Sequence, residues 1–172
     1  MDETGQPLPA GEIGEFWVKG VRGRTLMAGY LDDPEATAAA LTPDGWLRTA
    51  DVGYYDADGW FFFVDRSSNI IKRTGLNISA SEVEAVLAAH PAIKEAAVIG
   101  VPDPIRDQAV KAFILLEDGA ELTASAVDAY ARERLAAFKV PQLIEFVTDF
   151  PRTESMKIAK RALSHQPTTP LE

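Results

Sequence analysis

The hydrophobic pattern of this chain changes its period near Arg66, and that switch limits what it can fold into more than any other feature. Before it, apolar residues come in short aromatic and β-branched runs bounded by Gly and Asp. Glu15-Phe-Trp-Val-Lys19 and Trp60-Phe-Phe-Phe-Val64 therefore read as strands. Asp56-Ala-Asp-Gly59 predicts a hairpin turn between Val52-Gly-Tyr-Tyr55 and Trp60-Phe-Phe-Phe63, because Gly59 enters positive φ without steric cost. Asp33 and Pro34 predict the N-cap and first position of a short helix ending near Leu41. Beyond Arg66 helical spacing takes over. Ser79-Ala-Ser-Glu82 has the form of a capping box, and Val83, Val86 and Leu87 recur at helical intervals until His90-Pro91. Ala96 to Val101 and Ala109 to Leu116 read as strands. Val127, Tyr130, Ala131, Leu135 and Phe138 form the apolar stripe of a second helix, capped by Thr123 and stopped before Val140-Pro141. Leu143 to Val147 reads as a third strand. The expected fold class is α+β: a β-rich unit over 1–66, a junction at 67–69, and over 70–170 a compact domain with two to three helices on a small sheet.

Charge divides the chain at the same place. Residues 1–65 carry 4 basic and 12 acidic side chains, whereas 66–172 carry 13 and 14. The total, 17 Lys and Arg against 26 Asp and Glu, leaves a net charge of −9, which argues against nucleic acid or an anionic membrane surface as the main partner. With no Cys, thiolate metal sites and cysteine nucleophiles are excluded, and two isolated His cannot build a metal cage. No stretch approaches ~18 consecutive apolar residues. The start, Met1-Asp-Glu-Thr-Gly, lacks the basic residues of a signal peptide, so a cytoplasmic protein is expected. The abrupt polar start and the final Leu171-Glu172 lead us to expect a piece cut from a longer protein, with 171–172 left by a vector.

Four polar places in turns beside the scaffold could carry chemistry. Asp51, in Trp46-Leu-Arg-Thr-Ala-Asp-Val52, offers two oxygens that can accept from vicinal hydroxyls, although an aspartate here can equally cap a turn. Arg66, opening Asp65-Arg-Ser-Ser-Asn69, is a planar donor at the boundary, where arginines often make surface ion pairs. Thr74-Gly-Leu-Asn77 is a tight turn in which Gly75 permits close approach of a backbone or ligand, or simply turns the chain. Pro151-Arg-Thr-Glu-Ser-Met-Lys-Ile-Ala-Lys-Arg161 sets four cations against one acid, a solvated terminal run or an anion site. His90 sits at a helix C-terminus that favours positive charge, and His165 sits in the tail. The Met and aromatic runs read as core.

In this order and spacing, these segments resemble the C-terminal portion of the AMP-forming acyl-CoA synthetases, the adenylating superfamily that also contains luciferases and peptide-synthetase adenylation domains. Gly11-Glu-Ile-Gly-Glu15, Gly29-Tyr30, Gly45-Trp-Leu-Arg-Thr-Ala-Asp51, Asp58-Gly59 and Asp65-Arg66 resemble the end of the family's large domain. Ile71-Lys72, Gly75, Asn77-Ile78, Ser81-Glu-Val-Glu84, Phe138-Lys-Val-Pro141 and Phe150-Pro-Arg-Thr-Glu-Ser-Met-Lys157 resemble its mobile C-terminal domain. Asp65 to Arg73 and Ile105 to Phe113 are most similar to the crotonobetaine/carnitine-CoA ligase branch.

The resemblance implies an ATP-dependent ligase that uses Mg²⁺ and coenzyme A and acts on a carboxylic acid. It implies that Asp51 and Arg66 hold the nucleotide, that Lys157 is catalytic in adenylation, that Gly75 lines the coenzyme A passage, and that residues 67–69, with Ser68 at their centre, are the hinge. Three positions depart from the family pattern: Ser68 replaces the usual hinge Asp or Lys, Ala50 the Gly of Thr-Gly-Asp, and Met156 the Gly before the catalytic lysine. These departures also suit a noncatalytic, lid-like interaction module, and a peptide-synthetase adenylation domain using a carrier-protein thiol is a third possibility. The family's phosphate loop and acyl pocket have no counterpart here, so the chain alone is expected to be inactive.

Overall fold

The computed structural model describes residues 1–163, so His165, Leu171 and Glu172 lie outside the described residues. Contacts divide the chain into two units, Met1–Ser68 and one beginning at Asn69.

The first unit is an antiparallel sheet in the order β1 (Gly14–Lys19), β2 (Trp46–Tyr55), β3 (Phe61–Arg66), with a short helix α1 (Pro34–Ala40). Asp33 caps α1 by accepting the Ala36 N–H at 2.8 Å. The β2–β3 turn closes as its sequence predicts. The Asp56 carboxylate accepts from the Asp58 and Trp60 N–H groups, and Gly59 stands at φ +85°. The aromatic run that the sequence assigns to a core behaves differently. Trp60, Phe61 and Phe63 are 71%, 70% and 61% exposed. An unbroken apolar strand needs cover on both faces. Here β3 is an edge strand, and Leu26 and Leu41 are the unit's buried large apolar side chains. The aromatics rely on one another instead: Tyr54 stacks on Phe62 at 5.0 Å between centroids, and Phe16 meets Phe61 edge-on at 5.4 Å.

The second unit is a five-stranded sheet in the order β5 (Leu76–Ser79), β4 (Ile70–Arg73), β7 (Asp107–Leu116), β6 (Ile93–Asp103), with β8 (Leu143–Phe146) parallel to β7. The β4–β5 hairpin escapes the sequence reading, which finds a turn there and no strands. Each strand has four residues, too few to display a period. Helices α2 (Ala80–Ala88) and α3 (Ala124–Arg132) cover one face. Ser79 caps α2 by accepting the Glu82 N–H at 3.1 Å, and Thr123 caps α3 by accepting from Ala126 at 3.2 Å.

Alternation along β7 sends Val110, Ala112 and Ile114 into a core with Val83, Leu87, Val127 and Ala131. Ala109 and Phe113 enter a second core with Ile99, Phe150 and Leu163. The sheet is therefore buried on both faces, helices on one side and the C-terminal segment on the other. Lys111 lies fully buried on that second side, answered by Glu145 at 2.9 Å and by the Phe113 ring at 4.7 Å.

The predicted stripe of α3 runs past the true helix. The helix stops at Arg132, Leu135 is buried from a following turn, and Phe138 is 37% exposed. The cause is local. The Tyr130 carbonyl, which a continuing helix would give to the Arg134 N–H, instead accepts from the Arg134 guanidinium at 3.0 Å, while that N–H turns to Ala131. His90 meets Tyr130 edge-on, and its Nδ1 accepts the Ala92 N–H at 3.1 Å, so its visible role is to close the turn after α2. Among the described residues, no helix is long and apolar enough to cross a membrane.

Candidate functional site

In the first unit, register brings Asp51 of β2 opposite Arg66 of β3. Arg66 Nη1 donates to Asp51 Oδ1 at 2.8 Å, with the two side chains 52% and 37% exposed. The pair is too wet to contribute much stability. Both side chains keep part of their surface open to solvent. The backbone under it is tightly specified. Ala50 stands at φ +60°, its N–H donates to Glu15 Oε1 at 2.9 Å, and the Asp51 N–H donates to Thr49 Oγ1 at 3.1 Å. On the other strand Arg66 donates its N–H to the buried Asp65 carboxylate at 2.8 Å. Asp51 also lines an open groove of about 640 Å³ with Trp17, Trp46, Thr49, Tyr54 and Phe61. A wider cleft of about 1150 Å³ beside α1, lined by Leu26, Tyr30, Leu31 and Leu41, holds none of the residues singled out above.

Ser68 lies in one turn of 3-10 helix, Ser67–Asn69, between β3 and β4. Gly75 closes the β4–β5 hairpin. Thr74 at φ +51° and Gly75 at φ +77° are both left-handed, as a two-residue hairpin turn requires. A Cβ on Gly75 would meet nothing within 4 Å, so the fold asks for glycine there through its φ and not through crowding. The turn is tied down by the Thr74 N–H donating to the Arg106 carbonyl at 3.0 Å, beside the β6–β7 turn.

The terminal basic run divides into tethered and untethered cations. Arg152 reaches Glu95 at 2.6 Å, and that hydrogen bond raises the guanidinium further above its ordinary value. Lys160 Nζ is enclosed and lies 2.7 Å from Glu84 Oε1, at an angle that misses a good hydrogen bond. Lys157 is exposed, and its ammonium makes no ion pair among the described residues. It sits at the end of a hairpin whose legs bridge at Arg152 and Ile158, with Met156 at φ +63° beside it. Arg152 anchors this hairpin near the start of β6, whereas the Gly75 turn is anchored where β6 ends. About eight strand residues, roughly 26 Å, separate Glu95 from Asp103. The Lys157 and Gly75 turns thus belong to opposite ends of the sheet.

Sequence reasoning leaves three partners unassigned. Glu95 and Glu84 have no local signal that they serve Arg152 and Lys160, respectively. Lys139 looks like motif context, yet both Glu82 oxygens hold its ammonium at 2.6 Å.

Residues 82–157 match the model of the AMP-binding enzyme C-terminal domain. A crotonobetaine/carnitine–CoA ligase of Salmonella paratyphi C is 49% identical over 162 residues, which is 94% of this chain and 31% of that protein. The solved o-succinylbenzoate CoA synthetase of Bacillus subtilis, in complex with its acyl-adenylate intermediate, aligns with a TM-score of 0.82 at 33% identity, over 99% of this chain and 34% of that one. The amide bond synthetase McbA of Marinactinospora thermotolerans aligns at 0.75 with 41% identity, over 93% and 32%. The chain spans about a third of the length of the relatives it matches. Residues 82–157 are thus similar to the AMP-binding enzyme C-terminal domain, and the chain as a whole is similar to about a third of CoA ligases, one of them solved with an acyl-adenylate.

Proposed function

We propose that the chain is the C-terminal portion of an ATP-dependent acid–CoA ligase that adenylates a carboxylic acid and passes the acyl group to coenzyme A in the cytoplasm. The observation that carries this reading is the exposed Lys157 ammonium, with no ion pair among the described residues, on a hydrogen-bonded hairpin within a segment that matches the AMP-binding C-terminal family. The 49% identity to a protein named as a CoA ligase supports the choice of thiol acceptor.

Asp51, a partly exposed carboxylate, accepts from the ribose hydroxyls, and Arg66 supplies donors to ribose or phosphate. Lys157 approaches the acyl carboxylate and the α-phosphate. Its compact charge offsets the negative charge that gathers as carboxylate attacks phosphorus and pyrophosphate departs. In the second half the coenzyme A thiol attacks the acyl carbonyl and AMP leaves, with the Gly75 turn lining the pantetheine path. Ser67–Asn69 is the hinge that exchanges the two turns, since a few linker residues can absorb such a change in φ and ψ. Mg²⁺ would accompany the ATP phosphates, and among the described residues no cluster of three or more potential ligands could hold it. The remaining ATP contacts and the acyl pocket lie in the two thirds of the ligase that the chain does not cover, so the chain alone turns nothing over.

In the complete ligase, Lys157→Ala abolishes pyrophosphate release while sparing thioester formation from supplied acyl adenylate. Equal loss of both halves refutes the role of Lys157, and pyrophosphate release by this chain alone refutes its incompleteness. The 41% identity to an amide bond synthetase favours a second reading in which an amine takes the acyl group. Offering the adenylate a thiol and an amine side by side separates the two.

A further inference from the structure

Lys157 is held by the two legs of its hairpin. The Thr153 N–H donates to the Lys157 carbonyl at 2.8 Å, the Met156 N–H to Thr153 at 2.9 Å, and the Ala159 N–H to Pro151 at 2.7 Å. The outgoing leg drops Ile158 against the second core, five residues before Leu163 is buried there with it. Each leg then ends in an ion pair with a different element: Arg152 with Glu95 of β6, and Lys160 with Glu84 of α2.

Glu84 has a further partner. Its Oε1 accepts the Val98 N–H at 2.6 Å, and β6 is the edge of the sheet, so this carboxylate fills an open ladder position that no neighbouring strand can reach. One oxygen thus joins α2, the β6 edge and the outgoing leg of the hairpin. Because the Lys160 ammonium is enclosed, removing Glu84 would leave a cation out of water with no counter-charge among the described residues, and the leg would have to move to rehydrate it.

We infer that Glu84 is a positioning residue for Lys157, clamping the hairpin through Lys160 so that α2, the β6 edge and the lysine move as one piece. Arg152 and Glu95 brace the other leg. The inference rests on the reading that Lys157 acts in adenylation, but the clamp is testable without it.

In this chain, amine-reactive ester footprinting should show Lys157 labelled and Lys160 protected. Glu84→Gln should raise Lys160 labelling and speed the exchange of the Thr153 and Met156 amides by about tenfold, while Val127 in α3 keeps its protection. Lys160→Arg, which preserves the pair, should leave both amides as they are. Unchanged exchange of those amides in folded Glu84→Gln overturns the clamp. If that variant fails to fold, Glu95→Gln, at a wetter pair, should speed the same amides by a smaller factor, and its failure to do so overturns the bracing. In the complete ligase, Glu84→Gln should lower the kcat of adenylate formation about tenfold with little change in the KM for ATP, and leave thioester formation from supplied adenylate intact. Should Lys157→Ala prove to spare adenylation, the catalytic reading fails while the exchange result still decides the clamp.

Discussion

Replacing Met156 by glycine should stabilise the second unit, although it removes a side chain beside the proposed catalytic lysine. Met156 stands at φ +63°, where an L-residue's Cβ crowds its own carbonyl at a cost of roughly 1–2 kcal/mol. Its side chain is 70% exposed, so truncation sacrifices little packing. Against this, glycine widens the unfolded ensemble and gives back about 0.4–1 kcal/mol. The balance is a gain of about 0.5–1 kcal/mol. In a unit of this size that raises the melting temperature by about 2–6 °C. Far-UV circular dichroism melts of the parent, Met156→Gly and Met156→Ala separate the causes, because alanine removes the same side chain and keeps the strained Cβ. A glycine variant melting no higher than the alanine variant would refute the reasoning, since the left-handed backbone would then carry no penalty. Ala50, at φ +60°, should respond to glycine in the same direction.

All three tryptophans, Trp17, Trp46 and Trp60, lie in the first unit, so their fluorescence reports that unit alone. In urea it should change at lower denaturant than the far-UV signal, because the first unit buries few apolar side chains; coincident transitions would contradict this. Lys111→Met should be neutral or stabilising, whereas Glu145→Ala, which takes the Glu145 carboxylate away from the buried ammonium, should cost about 3 kcal/mol or less given the partial exposure of Glu145; chemical denaturation checks the order of the two. N–H groups of Ile105 and Arg106 hold the Asp103 carboxyl below the ordinary aspartate range. Its contribution is therefore complete above about pH 4 and lost as pH falls through the lower folded value, so the melting deficit of Asp103→Asn should be present at neutral pH and vanish in acid. A deficit that persists unchanged in acid would exclude the charge as its source.

Where the sequence was legible, the signal was local. The caps at Asp33, Ser79 and Thr123 and the turn at Gly59 each depend on atoms a few residues apart, and each forms as its residues predict. The β4–β5 hairpin was not legible, because four-residue strands carry no period, and neither was the end of α3, where the Arg134 guanidinium caps the Tyr130 carbonyl. For the candidate site, the types and order of Asp51, Arg66, Gly75 and Lys157 were readable, but their partners were not. Asp51 meets Arg66 through strand register, and Glu84 and Glu95 are 76 and 57 residues from the cations they serve. The basic run looked uniform in sequence; only folding separates the tethered Arg152 and Lys160 from Lys157.

The bare aromatic strand Trp60-Phe-Phe-Phe63 bears on how such a polypeptide comes into being. The second unit, with two filled interiors, can settle as soon as it leaves the ribosome. A ribbon of this kind cannot, unless something already made is waiting to receive it.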